Sequence, residues 1–181
     1  MNLLFQNLLN QRMNILVIGL DGAGKTTLLN NFTKGGLEIA SMVGFDIETY
    51  RFGDMDFHSW DVGGPGRTRI LWRYYLQKTN GIIFVVDSTD EDRIKDTCDT
   101  KGFPTYANDE LHQILSHELL RDAPLLVYAN KNDLPQALPI QKIRELLELN
   151  KLERPWHIQA CSALTGDGLN DGMDWLRSKI D

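Results

Sequence analysis

Apolar residues recur along this chain in two rhythms. Ile15-Leu16-Val17-Ile18, Ile82-Ile83-Phe84-Val85-Val86 and Leu125-Leu126-Val127-Tyr128-Ala129 are short unbroken runs. Bounded by glycine, proline or asparagine, such runs suit strands buried on both faces. Residues 45–52, carrying Phe45, Ile47, Thr49, Tyr50 and Phe52, and residues 55–61, carrying Met55, Phe57 and Trp60, read as two more strands. Gly53-Asp54 between them predicts a hairpin turn. Trp156-His157-Ile158-Gln159-Ala160-Cys161 is the last predicted strand. Between these runs the spacing turns helical. Residues 26–32 suit a helix, and Ile70, Leu71, Tyr74, Tyr75 and Leu76 line the inner side of one over 67–78. Leu111, Ile114, Leu115 and Leu119 mark another, capped by Asn108 or Asp109. Ile140, Ile143, Leu146 and Leu147 mark one over 139–150, with Pro139 in its first turn. Leu169, Met173, Leu176 and Ile180 share one face of the last. Strands alternating with helices predict an α/β fold with a mostly parallel sheet covered on both sides. Ligands of such sheets bind at the carboxyl ends of the strands.

Two segments depart from this rhythm. In residues 1–11, Leu3, Leu4, Phe5, Leu8 and Leu9 fall on one helical face, with Asn2, Gln6, Asn7 and Asn10 opposite. Such a segment either packs on its own domain or makes weak, reversible contact with a membrane. Position 2 is Asn, so N-myristoylation is not expected. The second is a long connection around residues 96–107, in which Gly102 and Pro104 should break any helix begun near Asp90. It reads as a tolerated surface insertion or a partner-binding loop. Residues 35–44 read as a flexible stretch opened by Gly35-Gly36. The domain expectation is an N-terminal segment over 1–12 and one domain over 13–181.

Composition narrows the partners. The chain has 181 residues, 19 Lys and Arg against 25 Asp and Glu, and a formal net charge of −6. That length suits a single core, and the negative balance argues against nucleic acid and strongly acidic membranes. Cys98 and Cys161 form no C-x-x-C pair. A disulfide or zinc framework is therefore not expected, and a reducing, cytoplasmic setting is.

The candidate chemistry lies after the predicted strands. Gly19-Leu20-Asp21-Gly22-Ala23-Gly24-Lys25-Thr26 fits G-x-x-x-x-G-K-[ST] between a strand and a helix. That arrangement turns backbone N–H groups and a helix N-terminus toward one anionic ligand. Asp21, Gly22, Ala23, Gly24, Lys25, Thr26 and Thr27 are the expected phosphate contacts. Lys25 would reach the outer phosphates and the Thr26 hydroxyl would ligate Mg²⁺. Trp60-Asp61-Val62-Gly63-Gly64 ends the next strand, where Asp61 would hold Mg²⁺ through water. Asn130-Lys131-Asn132-Asp133 follows a later strand. The Asp133 carboxylate can accept from both N1–H and the amino group of guanine, a donor pair that adenine lacks. Asn130 would hold the loops together, the Lys131 stem would cover the base, and backbone N–H groups of Cys161, Ser162 and Ala163 would face the guanine O6.

Together these residues resemble small GTPases of the ADP-ribosylation factor (Arf) and Arf-like type. The marks are residues 19–27, Gly44-Phe45 with Glu48-Thr49, Trp60-Asp61-Val62-Gly63-Gly64, Leu71-Trp72-Arg73, Ile83-Phe84-Val85-Val86-Asp87-Ser88 and Asn130-Lys131-Asn132-Asp133-Leu134-Pro135. The resemblance covers nearly the whole chain apart from the connection around Asp96 to Ala107. It implies a P-loop fold with a six-stranded sheet, one strand antiparallel and helices on both faces. It also implies GTP/GDP and Mg²⁺ as ligands, a Gly64 N–H on the third phosphate, and protein effectors and an exchange factor as partners. The family's members act in vesicle traffic, cilia and cytoskeletal organisation, and for this chain a monomer, cytoplasmic or peripheral on an endomembrane, is the expectation. Two positions depart from the pattern. Met42 stands where the family has a Mg²⁺-ligating Thr, and a thioether is a poor ligand for so hard an ion. Pro65 stands where the family has the Gln that orients the attacking water, and proline has no amide to offer. The resulting expectation is a guanine-nucleotide switch with impaired hydrolysis. A GTPase that cycles with an activating partner and a nucleotide-stabilised module that never switches are the alternatives.

Overall fold

The computed structural model describes residues 12–32, 38–41, 48–61, 75–94 and 106–180, with the main chain alone at 38–41, 60 and 61. Seven strands form one sheet. They are β1 (Met13–Gly19), β2 (Glu38–Ser41), β3 (Glu48–Phe52), β4 (Met55–Asp61), β5 (Thr79–Asp87), β6 (Leu125–Asn130) and β7 (Trp156–Ala160). Their spatial order is β2-β3-β4-β1-β5-β6-β7. Only β3 runs against the others, because it pairs antiparallel with both β2 and β4, while β4, β1, β5, β6 and β7 pair in parallel. The mostly parallel α/β fold with one reversed strand is thus present.

The edge strand β2 adds to the six expected strands and replaces part of the stretch read as flexible over 35–44. Its four residues pair in register with Glu48–Arg51, Glu38 facing Arg51 and Ser41 facing Glu48. Local glycines suggested a loop, whereas an open edge on β3 offers unpaired backbone groups a ladder. The predicted hairpin closes through Gly53 and Asp54, since Phe52 faces Met55 in the register. Gly53 supplies a φ of +56° that the tight turn demands.

Five α-helices are described: α1 (Lys25–Phe32), α2 (Glu91–Ile94), α3 (Ala107–Leu115), α4 (Ile140–Leu146) and α5 (Leu169–Arg177). Alternate strand residues feed two cores, one on each face of the sheet. Leu16, Ile18, Phe84 and Val127 meet Leu111, Ile114 and Ile143 on one side. Ile15, Val17, Val85 and Tyr128 meet Leu28, Phe57 and Leu176 on the other. Two-faced burial accounts for the unbroken apolar runs of β1, β5 and β6.

Several boundaries differ from the sequence pattern. Helix α3 begins at Ala107, and Tyr106, which offers no side-chain bond, stands at the cap in place of Asn108 or Asp109. Asn108 is buried and its Oδ1 has no partner. Leu119 lies on a separate 3-10 turn, Glu118–Leu120, and is exposed. Helix α4 stops at Leu146 because Glu148 takes a left-handed φ of +52°, and a 3-10 turn follows at Leu149–Lys151. The helix expected over 67–78, most of residues 1–12, and the connection from 95 to 105 lie outside the described residues. No helix among the described residues is long and apolar enough to cross a membrane.

Candidate functional site

The register brings the motifs to one end of the sheet. Gly19 at the end of β1 faces Asp61 at the end of β4, and Asp87 at the end of β5 faces Asn130 at the end of β6. Ala129 faces Ala160, so the Cys161-Ser162-Ala163 turn emerges beside Asn130. Parallel strands starting from a common base make this convergence unavoidable.

Asn130 joins three loops. Its Nδ2 donates to Ala23 O at 2.8 Å, and its Oδ1 accepts the Ala163 N–H at 2.8 Å. The side chain is 2% exposed. Its main-chain carbonyl accepts from the Ser88 amide at 2.9 Å and the Ser88 hydroxyl at 2.6 Å. One buried amide therefore holds the phosphate loop, the β5 end and the last loop in fixed relation. A buried side-chain amide bonded through both its nitrogen and its oxygen is rigid, and each bond is costly to break. Gly24 fits under it: φ is +98°, and a Cβ there would lie 2.3 Å from Asn130 Nδ2. No side chain is tolerated where the loop passes beneath the amide.

Lys25 opens α1 and is buried. Its ammonium donates to Gly19 O at 2.9 Å and Leu20 O at 2.8 Å, folding over the loop. These carbonyls hold the cation where an anion would otherwise be its partner. Thr26 and Thr27 are exposed at the same helix start. The Tyr50 phenol lies beside Thr26. Burial pushes that phenol up to about 12, the Glu48 carboxylate it donates to at 2.6 Å adds to this, and the Thr26 side chain opposes it. Asp21 and Gly22 form the exposed crest of the loop.

At the base end, Lys131 takes a left-handed φ of +65°, uncommon for a side-chain-bearing residue. Its ammonium lies 2.5 Å from Asp87 Oδ2. Asp87 Oδ1 accepts from the Thr89 amide at 2.9 Å and hydroxyl at 2.7 Å. Burial raises the Asp87 carboxyl, but the bonds from Lys131 and Thr89 outweigh it and hold the group below its usual range. Asp133 is exposed beyond this bend. Of the three amides expected to face a base, those of Cys161 and Ser162 already donate to main-chain carbonyls, Ala129 O at 2.9 Å and Asp167 O at 3.0 Å. Ala163 alone of the three donates to a side chain, Asn130 Oδ1 at 2.8 Å. Burial, with a smaller push from Asp133, raises the Cys161 thiol to about 12, and the cysteine is free.

The described site thus gathers Asp21, Gly22, Ala23, Gly24, Lys25, Thr26, Thr27, Asn130, Lys131, Asp133, Cys161, Ser162 and Ala163 at one end of the sheet. Asp61 ends β4 there by its main chain. Gly64, Met42 and Pro65 lie outside the described residues. Sequence reading gave no role to Glu48, Tyr50, Thr89 or Arg93. Asp87 and Ser88 carried a signal, as the end of a buried strand, but their partners on β6 and its loop follow only from strand pairing. The donor set fits the expected ligands. Loop amides and a lysine suit phosphate, and a hydroxyl and carboxylates are the hard oxygens that Mg²⁺ takes. Over residues 1–180 the chain matches the model of the ADP-ribosylation factor family. It belongs to that family of GTP-binding switch proteins.

Proposed function

We propose that this protein is an Arf-like switch that binds GDP and GTP tightly and hydrolyses GTP very slowly by itself. The observation that carries the reading is the Asn130 bridge, with Ala23 O and the Ala163 N–H each 2.8 Å away. A bridge of that kind fixes the distance between a phosphate loop and a base loop, and so selects a ligand with both parts. Asp133 would select guanine by pairing with its two adjacent donors, and Ala163 would meet O6. Lys25 would leave Gly19 O and Leu20 O for the outer phosphates.

The Thr26 hydroxyl, phosphate oxygens and waters held by Asp61 would keep Mg²⁺, which supplies charge neutralisation for the phosphates. Met42 removes a hard oxygen from that shell. Pro65 removes the side-chain amide that orients water and, through its ring, restricts Gly64. Loss of one well-placed polar contact costs about 10²–10³ in rate. Unaided small GTPases already turn over on the order of 10⁻⁴ s⁻¹. Effectors and an exchange factor would read and reset the state, and residues 1–11 would give weak contact with an endomembrane.

Single-turnover hydrolysis of bound GTP tests the proposal. The wild type should stay at or below the unaided range, and Pro65→Gln should accelerate it more than Met42→Thr. Rapid turnover by the wild type, or equal and unchanged rates in both variants, would overturn the assigned roles.

A further inference from the structure

The segment leaving β5 makes a contact that nucleotide recognition, as described above, does not use. Asp90 Oδ1 accepts the Arg93 N–H at 3.2 Å and so starts α2. The Arg93 side chain then reaches the phosphate loop. Its Nη2 lies 2.5 Å from Asp21 Oδ1, and its Nη1 donates to the Asp21 main-chain oxygen at 3.2 Å. One guanidinium therefore grips both the carboxylate and the backbone of a single loop residue.

Asp21 poses an electrostatic problem. It sits inside a loop whose ligand carries several negative charges, and like charges a few ångströms apart repel. Arg93 holds the Asp21 carboxyl below its usual range against a smaller opposing effect of burial, with Lys25 the least of the influences, so the group is ionised at neutral pH. Beside phosphate, the Arg93 cation offsets the charge of that carboxylate. Behind the loop lies a small apolar cleft lined by Leu20, Ala23, Val85 and Ile94, with Asp21, Asp87, Asp90 and Arg93 at its polar margin.

We propose that Arg93 is a positioning residue of the phosphate loop, neutralising and anchoring Asp21 and thereby setting how well the loop holds a triphosphate relative to a diphosphate. The inference rests on the nucleotide-binding reading. A triphosphate brings more negative charge than a diphosphate, so an unmasked Asp21 penalises GTP more than GDP. Folding is not at stake, since exposed ion pairs contribute little to stability.

The test uses the full chain as wild type, Arg93→Ala, Arg93→Lys, Asp21→Asn and the Asp21→Asn/Arg93→Ala double variant. Equilibrium titration with GDP and GTP in Mg²⁺ is run at low and high salt. The ratio of the GTP to the GDP dissociation constant should rise about threefold to tenfold in Arg93→Ala, a range set by a single partly screened charge. Arg93→Lys should restore most of the difference, higher salt should shrink it, and the double variant should lack it. An unchanged ratio in Arg93→Ala, or an effect of the same size on the Asp21→Asn background, overturns the proposal. A wild type that holds neither nucleotide brings down the nucleotide reading as well. A wild type that holds both while the ratio stays fixed overturns this inference alone.

Discussion

The two ends of the site are held by different kinds of contact. At the base end, Asn130 is buried and bonded through its side chain to Ala23 O and the Ala163 N–H and through its carbonyl to Ser88. At the phosphate end, Lys25 lies on loop carbonyls, and exposed Asp21 is held by a half-buried arginine. The base end is completed by folding. The phosphate end is held by a lysine and an ion pair on the loop itself, and on the proposed reading Lys25 would exchange those carbonyls for phosphate. Order at one end and exchange at the other suits a protein that keeps its guanine base while its phosphates change.

That contrast can be broken by substitution. Asn130→Ala should have the largest effect, because it leaves the Ala23 carbonyl and the Ala163 amide buried and unpaired. Each such group costs about 1–3 kcal/mol, so stability in urea should fall by about 2–6 kcal/mol even without nucleotide. Lys25→Met tests the other end. It should lower the ligand-free stability less, because the lost bonds to Gly19 O and Leu20 O are offset by no longer burying an ammonium, and weaken GTP and GDP binding by about 10²-fold or more, as loss of a charged partner to a buried phosphate predicts. If both variants lost stability equally, the contrast would fail.

Gly24→Ala should follow. A left-handed residue and a 2.3 Å approach to Asn130 Nδ2 predict a loss of about 1–3 kcal/mol. The loss should shrink in Asn130→Ala, where the clash is gone, and a double-mutant cycle in urea reads that coupling.

The smallest expected effect lies in the β3–β4 hairpin. His58 shares its ring nitrogens with Thr49 Oγ1 and Asn14 Oδ1, both at 3.0 Å, so it links β3 and β1. Burial lowers its pKa from 6.5, against Asp56, which raises it, while Arg51 and Lys78 lower it slightly. The folded state therefore keeps His58 neutral at pH values where the unfolded chain is protonated. Its contribution is full above pH 6.5 and is lost as pH falls from there through the lower folded pKa. Thermal melts across that window should be less pH-dependent in His58→Gln than in the wild type, and identical slopes would exclude the assignment.

The fold was legible where burial was two-sided. Ile15 to Ile18, Ile82 to Val86 and Leu125 to Ala129 announced central strands because both faces of the sheet are covered. Edges were less legible. Strand β2 has no apolar signature and exists by pairing with β3. Glu148 ends α4 through a backbone angle that glutamate rarely adopts. The loops of the site were readable because glycine, lysine and asparagine recur at fixed spacing. The contacts that hold them were not. Arg93 lies 72 residues from Asp21, and Asn130 lies 107 residues from Ala23, so only the adjacency of β1, β5 and β6 brings them together.

The most direct test is equilibrium titration of the purified full chain with GDP, GTP and ATP in the presence of Mg²⁺, repeated with Asp133→Asn. GDP and GTP should saturate one site per chain while ATP does not, and Asp133→Asn should lose the guanine nucleotides. ATP binding as tight as GTP, or GTP affinity unchanged in Asp133→Asn, would contradict the assignment of this site to a guanine nucleotide.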